Sequence, residues 1–592
     1  MIKSHNVEKV YRNNRKMKIY KVEIKNYRSI LDGTFYMDQI LAIVGQNNAG
    51  KSNVISALDS FFNPHENIED FIKGKNTCNL PRKKISISIT FSDVNRPEFD
   101  PFKDEHGQII IKQEFLNNKL VYYIFKPSIG KYENYGGNLK DYIDFILVPI
   151  NRIQNIDDET LISGTIVYKA IEESLKKLSE KRDTFSAQLK KAYDYISKHA
   201  FNKIAKEINK YYLSSNLTAK IKNSVDIDST LLMHILGIFI EEKGREFPIS
   251  YCGSGIQSLF IIGIYQYLSD QLGINYIIAL EEPEVNLHPH AQRQFINSII
   301  NNNKANQNQI ILSTHSPVII DQLGHTNILL VRKQSHSKRG FCTQLTQLKK
   351  TFFTDEGLEE PSYYKFAGFK NSEIFFSSYI IVTESPTDSK IIEQLGERNG
   401  IIFSNTNISF ISLGGVNNLR YVFALLEGLN IPHCWIVDKD YFLDYSVDND
   451  REKSRDKNGF FHYTNTWTSN AERLKMINKL ISKEEDRNNI LPLLNSNHTK
   501  ALSFLEKYNI ICMRFNLEMD LFSSEALRNM LFEKLHVPVA SRNSQALFVK
   551  YRNAIKDPIN LYDIVNNANN RNLPNSYKHI ISIIKKISNE YN

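Results

Sequence analysis

The stretch IIVTESPTDSKII, residues 380–392, decides how the second half of the chain folds. Ile380, Ile381 and Val382 are a short β-branched run bounded by turn residues, which predicts a buried strand. Glu384 closes that strand, and Asp388 falls in the first turn of the helix predicted over DSKIIEQLGERN. A strand ISFISLGG (408–415), a helix VNNLRYVFALLEGL (416–429) and a strand PHCWIVDKD (432–440) follow. Strand–helix alternation of this kind predicts a parallel sheet with crossover helices. The carboxyl ends of parallel strands share one edge. Glu384, Asp388, Asp438 and Asp440 can therefore converge there, with Gly414 and Gly415 leaving room for a phosphate. Clustered carboxylates suit hard divalent cations such as Mg²⁺ or Mn²⁺, and a pair of such ions can drive phosphodiester hydrolysis. Taken alone, Asp388 also reads as a helix cap.

The same rhythm appears earlier in the chain. GQNNAGKS (45–52) follows the apolar strand ILAIV and opens the helical pattern KSNVISALDSFF. It fits the phosphate-loop pattern, in which backbone N–H groups wrap phosphates, the lysine reaches the β- and γ-phosphates and the serine meets Mg²⁺. Gly45, Asn48, Gly50, Lys51, Ser52 and Asn53 are the expected nucleotide contacts. A second apolar strand, YIIAL, ends on Glu281 and Glu282. In a nucleotide-hydrolysing site the first acid holds Mg²⁺ and the second polarises the attacking water. IILSTHSP (310–317) sets His315 at another strand end, where a γ-phosphate would lie; a histidine there also reads as structural. YCGSGIQSLF (251–260) supplies Ser254, Gly255 and Gln257, a turn that can meet the nucleotide held by another copy.

At 592 residues the chain is long enough for two or three domains. The net charge of +9 suits a polyanionic partner. The five cysteines form no CxxC pair, which argues against a zinc ribbon or a disulfide framework and fits a reducing cytoplasm. No apolar signal core and no membrane-spanning run is expected. Residues 155–215 are charged, helical in pattern and poor in Gly and Pro, and predict a helical arm or insertion, either a dimerisation arm or a plain solvated helix pair. Residues 332–372 read as an irregular passage between domains, 444–459 as a charged mobile loop, and the remainder to 592 as mostly helical.

The order of phosphate loop, long insertion, GSGIQ, ALEEPE and STH resembles ATP-binding-cassette ATPases of the chromosome-maintenance and recombination-repair type. Ile256 departs from that pattern at a usual glycine. The resemblance implies ATP held between two heads, hence a homodimer. The acids, the double glycine and the DxD of 438–440 resemble a Toprim domain, with Ser385 where a glycine is usual. A zinc module, as in primases, is missing, and the chain is short for a type IA topoisomerase. An ATPase head followed by Toprim is similar to the OLD (overcoming lysogenisation defect) nucleases, over about 15–330 and 375–555.

That resemblance implies an α/β fold. An ABC-type ATPase domain would span 1–370, with a helical arm at 155–225; a Toprim domain with a helical C-terminal part would span 371–592. It implies ATP, Mg²⁺ or Mn²⁺, DNA as substrate and metal-dependent endonuclease chemistry. Glu282, His315, Glu384, Asp438, Asp440 and a basic residue, Lys550 with Lys534 behind it, would be catalytic. Ser52, Glu281, Glu384, Asp388, Asp438 and Asp440 would ligate metal, joined by Glu518 and Asp520 from FNLEMDLFSSEAL (515–527). Members act in phage defence, alone, beside a helicase as in Gabija-like systems, or with a retron reverse transcriptase and its RNA–DNA. The competing expectation is a non-cutting DNA-binding ATPase, a clamp or sensor, whose Toprim acids are structural.

Overall fold

The computed structural model describes residues 17–64, 84–116, 119–149, 239–242, 244–248 and, with short breaks, 251–591. The expected arm at 155–225 lies outside them but for isolated positions, and so does Ser254. The chain forms two compact units, one ending at Thr346 and the other starting at Gln347, ahead of the boundary expected at 370.

The first unit is built on one twelve-stranded sheet. In chain order its strands are β1 (Lys18–Tyr27), β2 (Ile30–Tyr36), β3 (Ile40–Val44), β4 (Ile85–Ser92), β5 (Ile109–Leu116), β6 (Lys119–Lys126), β7 (Lys131–Asn134) and β8 (Ile143–Val148). A separate ribbon, β9 (Phe239–Glu242) with β10 (Arg245–Pro248), precedes β11 (Asn275–Glu281), β12 (Gln309–Thr314), β13 (Ile328–His336) and β14 (Gly340–Gln347). The sheet order is β7-β6-β5-β4-β1-β2-β14-β13-β3-β12-β11-β8. The β7-to-β2 half is antiparallel. The strands around β3, β12, β11 and β8 are parallel. Every residue of β3 and β12 is buried, as befits parallel strands covered on both faces. Helix α1 (Lys51–Phe62) lays Val54, Ile55, Leu58, Phe61 and Phe62 into the core, and Phe62 stacks on Phe145 of β8 at 6.0 Å. Helix α2 (Pro289–Asn303) follows the β11 loop. The central consequence is positional: β12 lies between β3 and β11, so the ends of all three strands are neighbours.

The passage expected to be irregular at 332–372 is structured instead. It contains the end of β13, all of β14 and two short helices, Phe352–Glu356 and Glu360–Ala367. The strand GFCTQLTQ is half polar because it buries little more than one face, so its apolar signal is thin.

The second unit carries a four-stranded sheet in the order β16-β15-β17-β20, parallel throughout. Its strands are β15 (Tyr379–Thr383), β16 (Ile408–Ser412), β17 (His433–Val437) and β20 (Ile510–Cys512). A two-stranded ribbon, β18 (Leu443–Tyr445) with β19 (Tyr463–Trp467), follows the DxD. The described helices include α3 (Pro386–Arg398), α4 (Leu419–Gly428), α5 (Ala471–Leu480), α6 (Glu484–Ser496), α7 (Leu517–Leu521), α8 (Pro558–Asn567) and α9 (Asn575–Tyr591). α9 sets Ile580, Ile584 and Ile587 on one buried stripe at helical spacing. Each such isoleucine contributes roughly 1.5–3 kcal/mol through burial. Tyr577 from the same stripe donates to the Leu517 carbonyl at 2.9 Å, tying α9 to α7. The segment expected to be mobile at 444–459 is a folded series of turns. Arg455 donates there to the Gly459 carbonyl at 2.7 Å and pairs with Glu452.

Candidate functional site

Each unit carries a candidate site at the carboxyl ends of its parallel strands. In the first, β3 runs into the loop 45–50. Gly45 has φ 151°, and a Cβ there would stand 2.0 Å from the Val331 carbonyl oxygen. Gly50 caps α1 at φ 111°, and a Cβ there would meet Thr343 Oγ1 at 2.3 Å. Asn48 sits between them at φ 60°. The loop backbone thus turns back on itself at the N-terminus of α1, a ready cradle for phosphate. Thr343 of β14 braces it, donating to the Ala49 carbonyl at 2.8 Å and meeting Ser29 Oγ at 2.6 Å. Sequence reasoning missed this support, because β14 is remote in the chain.

Lys51 is buried and folds over the loop, donating to the carbonyls of Gly45 at 3.0 Å and Gln46 at 2.9 Å. Burial lowers its pKa to about 8, against the pull of Glu282 and Glu284. Ser52 is exposed at the start of α1. Asn53 donates to Ser29 Oγ at 2.6 Å and steadies the β1–β2 turn. Glu281 ends β11 opposite Ser313 of β12. Glu282 is held at φ 40°, a strained conformation for a non-glycine residue. Its N–H donates to the Ser313 carbonyl at 2.9 Å. His315 Nε2 lies 3.8 Å from Glu282 Oε1. Burial, and then the charge of Lys51, hold the imidazole below its ordinary pKa, while Glu282 opposes them. A third acid, Glu284, was not singled out from sequence. Its Oε1 accepts from Thr314 Oγ1 at 2.8 Å and from the His315 N–H at 2.6 Å, fixing the histidine segment. Gly255 packs on Leu287: a Cβ there would come within 2.7 Å of that side chain. Gln257 is buried and donates to the Cys252 carbonyl at 2.8 Å, so its amide holds the turn that carries it.

In the second unit, Glu384 leaves β15 and Asp438 leaves β17, its sheet neighbour. Glu384, Asp438 and Asp440 each offer an oxygen, and these atoms lie within 4.8 Å of one another. The Asp438 N–H donates to Glu384 Oε1 at 2.9 Å, and the Tyr445 hydroxyl donates to Asp440 Oδ2 at 2.9 Å. Burial and then the charge of Asp440 push the Glu384 carboxyl up to about 8. Burial, Glu384 and Asp440 raise Asp438 well above the carboxylate range. The hard oxygen donors brought together here fit Mg²⁺ or Mn²⁺.

Asp388 has a structural duty as well. Ser385 Oγ accepts from the Asp388 N–H at 3.1 Å and Asp388 Oδ2 accepts from the Ser385 N–H at 2.9 Å, a complete capping box on α3. Burial, and then the charge of Glu518, raise its pKa to about 6, so Asp388 and Glu518 feel one another. Asp520 is placed otherwise than expected. It is fully buried, and its two oxygens accept from the N–H groups of Arg514 and Phe515, both at 2.8 Å. It holds the turn after β20. Lys550 is exposed, with its ammonium 5.5 Å from the Tyr551 ring, and Lys534 pairs with Asp563. The cation that acts on Glu384 is Arg473 of α5, whose Nη1 donates to the Asp440 carbonyl at 3.1 Å. Arg473 lines a cavity of about 180 Å³ with Arg420, Lys475 and Lys479. Nothing in its local sequence marks it.

The family model described as an AAA ATPase domain matches residues 17–143 and 65–320. The one described as an overcoming lysogenization defect protein-like TOPRIM domain matches residues 375–440, the β15-to-DxD segment itself. The chain belongs to the AAA ATPase domain family and carries an OLD-like TOPRIM domain in its second unit. Similar proteins include the OLD nuclease of Thermus scotoductus, 22% identical over 74% of this chain and 85% of the relative. The Old nuclease of Escherichia phage P2 is 21% identical over 72% of this chain and 78% of its own. Endonuclease GajA of Bacillus cereus is 22% identical over 70% and 71%. An ATPase domain joined to an OLD-like TOPRIM domain is the composition of an ATPase–nuclease, and the relatives are named as nucleases or endonucleases.

Proposed function

We propose that this protein is an OLD-type nuclease that binds and hydrolyses ATP with Mg²⁺ in its first unit and cuts DNA by divalent-metal-dependent phosphodiester hydrolysis in its second. The observation that carries the nuclease reading is the convergence of Glu384, Asp438 and Asp440 at one sheet edge. These three would hold one cation, and Asp388 with Glu518 are the candidates for a second. Bound there, such ions supply positive charge at the scissile phosphate and make water more acidic. The chain's own groups do the positioning. The Asp438 N–H fixes Glu384, Tyr445 fixes Asp440, and Arg473 offers a guanidinium to developing negative charge. Arg473 is a better-supported basic partner than Lys550, because its charge reaches the triad.

For the ATPase, Lys51 would release the loop carbonyls and turn to the β- and γ-phosphates. Ser52 and Glu281 would meet Mg²⁺, Glu282 would orient water and His315 would contact the γ-phosphate. The Gly255 turn of a second copy would complete this site in trans, hence a homodimer. A role in phage defence follows from the resemblance, and placement in a reducing cytoplasm from five cysteines without a CxxC pair; among the described residues no helix is long and apolar enough to cross a membrane. Incubating the purified protein with supercoiled plasmid in Mg²⁺, Mn²⁺ or EDTA tests the nuclease reading. Cutting with either metal and none in EDTA is expected, and cutting in EDTA would refute it.

A further inference from the structure

Lys439 lies between two of the triad acids, yet its side chain goes elsewhere. It is 4% exposed, and its ammonium donates to the Leu494 carbonyl at 2.7 Å and to Asn495 Oδ1 at 3.3 Å. The rings of Tyr463 and Phe515 flank it at 5.3 and 5.8 Å. An ammonium has three protons to place, and a buried cation without a counter-charge is costly. Among the described residues no carboxylate pairs with it. The acid whose charge reaches it, Asp520, directs both oxygens to backbone N–H groups.

A cavity of about 560 Å³ opens against Lys439. Arg514 stands at its rim, exposed and likewise without a carboxylate partner among the described residues; its guanidinium rests over Phe515 at 5.4 Å. The one acid lining the cavity, Asp456, already accepts from the N–H groups of Asn458 and Phe460. Asn465, Asn495 and Ser523 add neutral polar groups, and Phe460 and Tyr463 add apolar faces. The cavity is therefore cationic at its floor and rim, with aromatic walls, and its size is that of a small-molecule site.

We propose that this cavity, set behind the Glu384–Asp438–Asp440 triad, binds a nucleoside phosphate, with the phosphate between Lys439 and Arg514 and the nucleoside along the aromatic wall. Tetrahedral phosphate oxygens match two separate cations. The ligand is either a free nucleotide or the 5′-terminal nucleotide of a DNA strand, which share this chemistry. The proposal does not rest on the nuclease reading, because binding here needs neither a metal nor cleavage.

The test is titration calorimetry on full-length Lys51→Ala protein, which disables the phosphate loop, in EDTA. The probes are thymidine 5′-monophosphate and a short oligothymidylate with or without a 5′-phosphate. Saturable binding is expected, weakened at least tenfold by Arg514→Glu, an exposed substitution that leaves the core untouched. Lys439→Met is expected to do the same where it folds. Equal binding of the monophosphate and the phosphorylated oligonucleotide identifies a free-nucleotide site. Preference for the phosphorylated oligonucleotide identifies a strand-end site. No binding of any probe at millimolar concentration, or binding that Arg514→Glu leaves unchanged, overturns the proposal.

Discussion

The backbone N–H of Asp438 donates to Glu384 Oε1 at 2.9 Å, joining the end of β17 to the end of β15. That bond sets one carboxylate oxygen while Asp438 and Asp440 bring two more acids beside it. The arrangement is repulsive by itself, and its repulsion is measurable.

Glu384 has a folded pKa of about 8 against an ordinary value of 4.5. Its protonated form is the one the fold favours. The stabilisation is therefore complete below pH 4.5 and is lost as pH rises through about 8. Glu384→Gln keeps a carbonyl oxygen for the Asp438 N–H but cannot ionise. In EDTA the variant is expected to match wild type near pH 4.5 and to melt higher by pH 8.5, and Mg²⁺ should raise the wild-type melting temperature alone. Melting curves at several pH values check this, and a wild type more stable than the variant at high pH in EDTA would contradict it.

The ATPase site makes a separable prediction. Lys51→Ala removes the buried ammonium that would face the phosphates, so ATP binding should weaken at least tenfold. Glu282→Gln keeps the shape of the loop and should bind ATP while hydrolysing it on the order of a hundredfold more slowly. Nucleotide titration and steady-state phosphate release separate the two effects. Wild-type hydrolysis in both variants would rule this site out.

Arg473 and Lys550 compete as the basic residue of the nuclease. With Arg473 donating to the Asp440 carbonyl and acting on Glu384, Arg473→Ala should lower the DNA-cleavage rate by about a hundredfold, a loss typical of one charge-stabilising group. Lys550→Ala should cost far less. ATP hydrolysis should persist in both. The reverse ranking in a plasmid-nicking time course would return the role to Lys550.

Asp520 separates structural acids from metal acids. Asp520→Ala strips the acceptor from two backbone N–H groups, each worth roughly 1–3 kcal/mol when left buried and unpaired. It should lower the unfolding midpoint with or without metal. Were Asp520 a ligand, removing it would instead leave the metal-free protein unharmed. Denaturant melts in EDTA and in Mg²⁺ decide between these.

Much of this was legible in the chain because strand ends announce themselves. Short β-branched runs closed by Glu384, by Asp438 and by Glu281–Glu282 state both the sheet and its functional edge. The glycines of 45–50 state the loop through the conformations they alone adopt readily. What stayed hidden arises from distant elements meeting. Thr343 braces a loop far from it in sequence, Arg473 reaches the triad from α5, and Glu284 takes the His315 N–H across two strands. Asp520 and Glu518 look alike in FNLEMDLF, and only the fold turns one inward to the backbone and leaves the other near Asp388. Lys550 rests on resemblance alone, with no local pattern to weigh it against Arg473.

The most direct measurement of the central claim is plasmid cleavage by the Asp438→Ala, Asp440→Ala double variant beside wild type, in Mg²⁺ or Mn²⁺, with ATP hydrolysis followed in the same samples. If these acids hold the metal that cuts DNA, the double variant produces neither nicked nor linear plasmid while its ATPase rate stays within about twofold of wild type, since Lys51 and Glu282 lie in the other unit. Cleavage by the double variant at the wild-type rate would contradict the account.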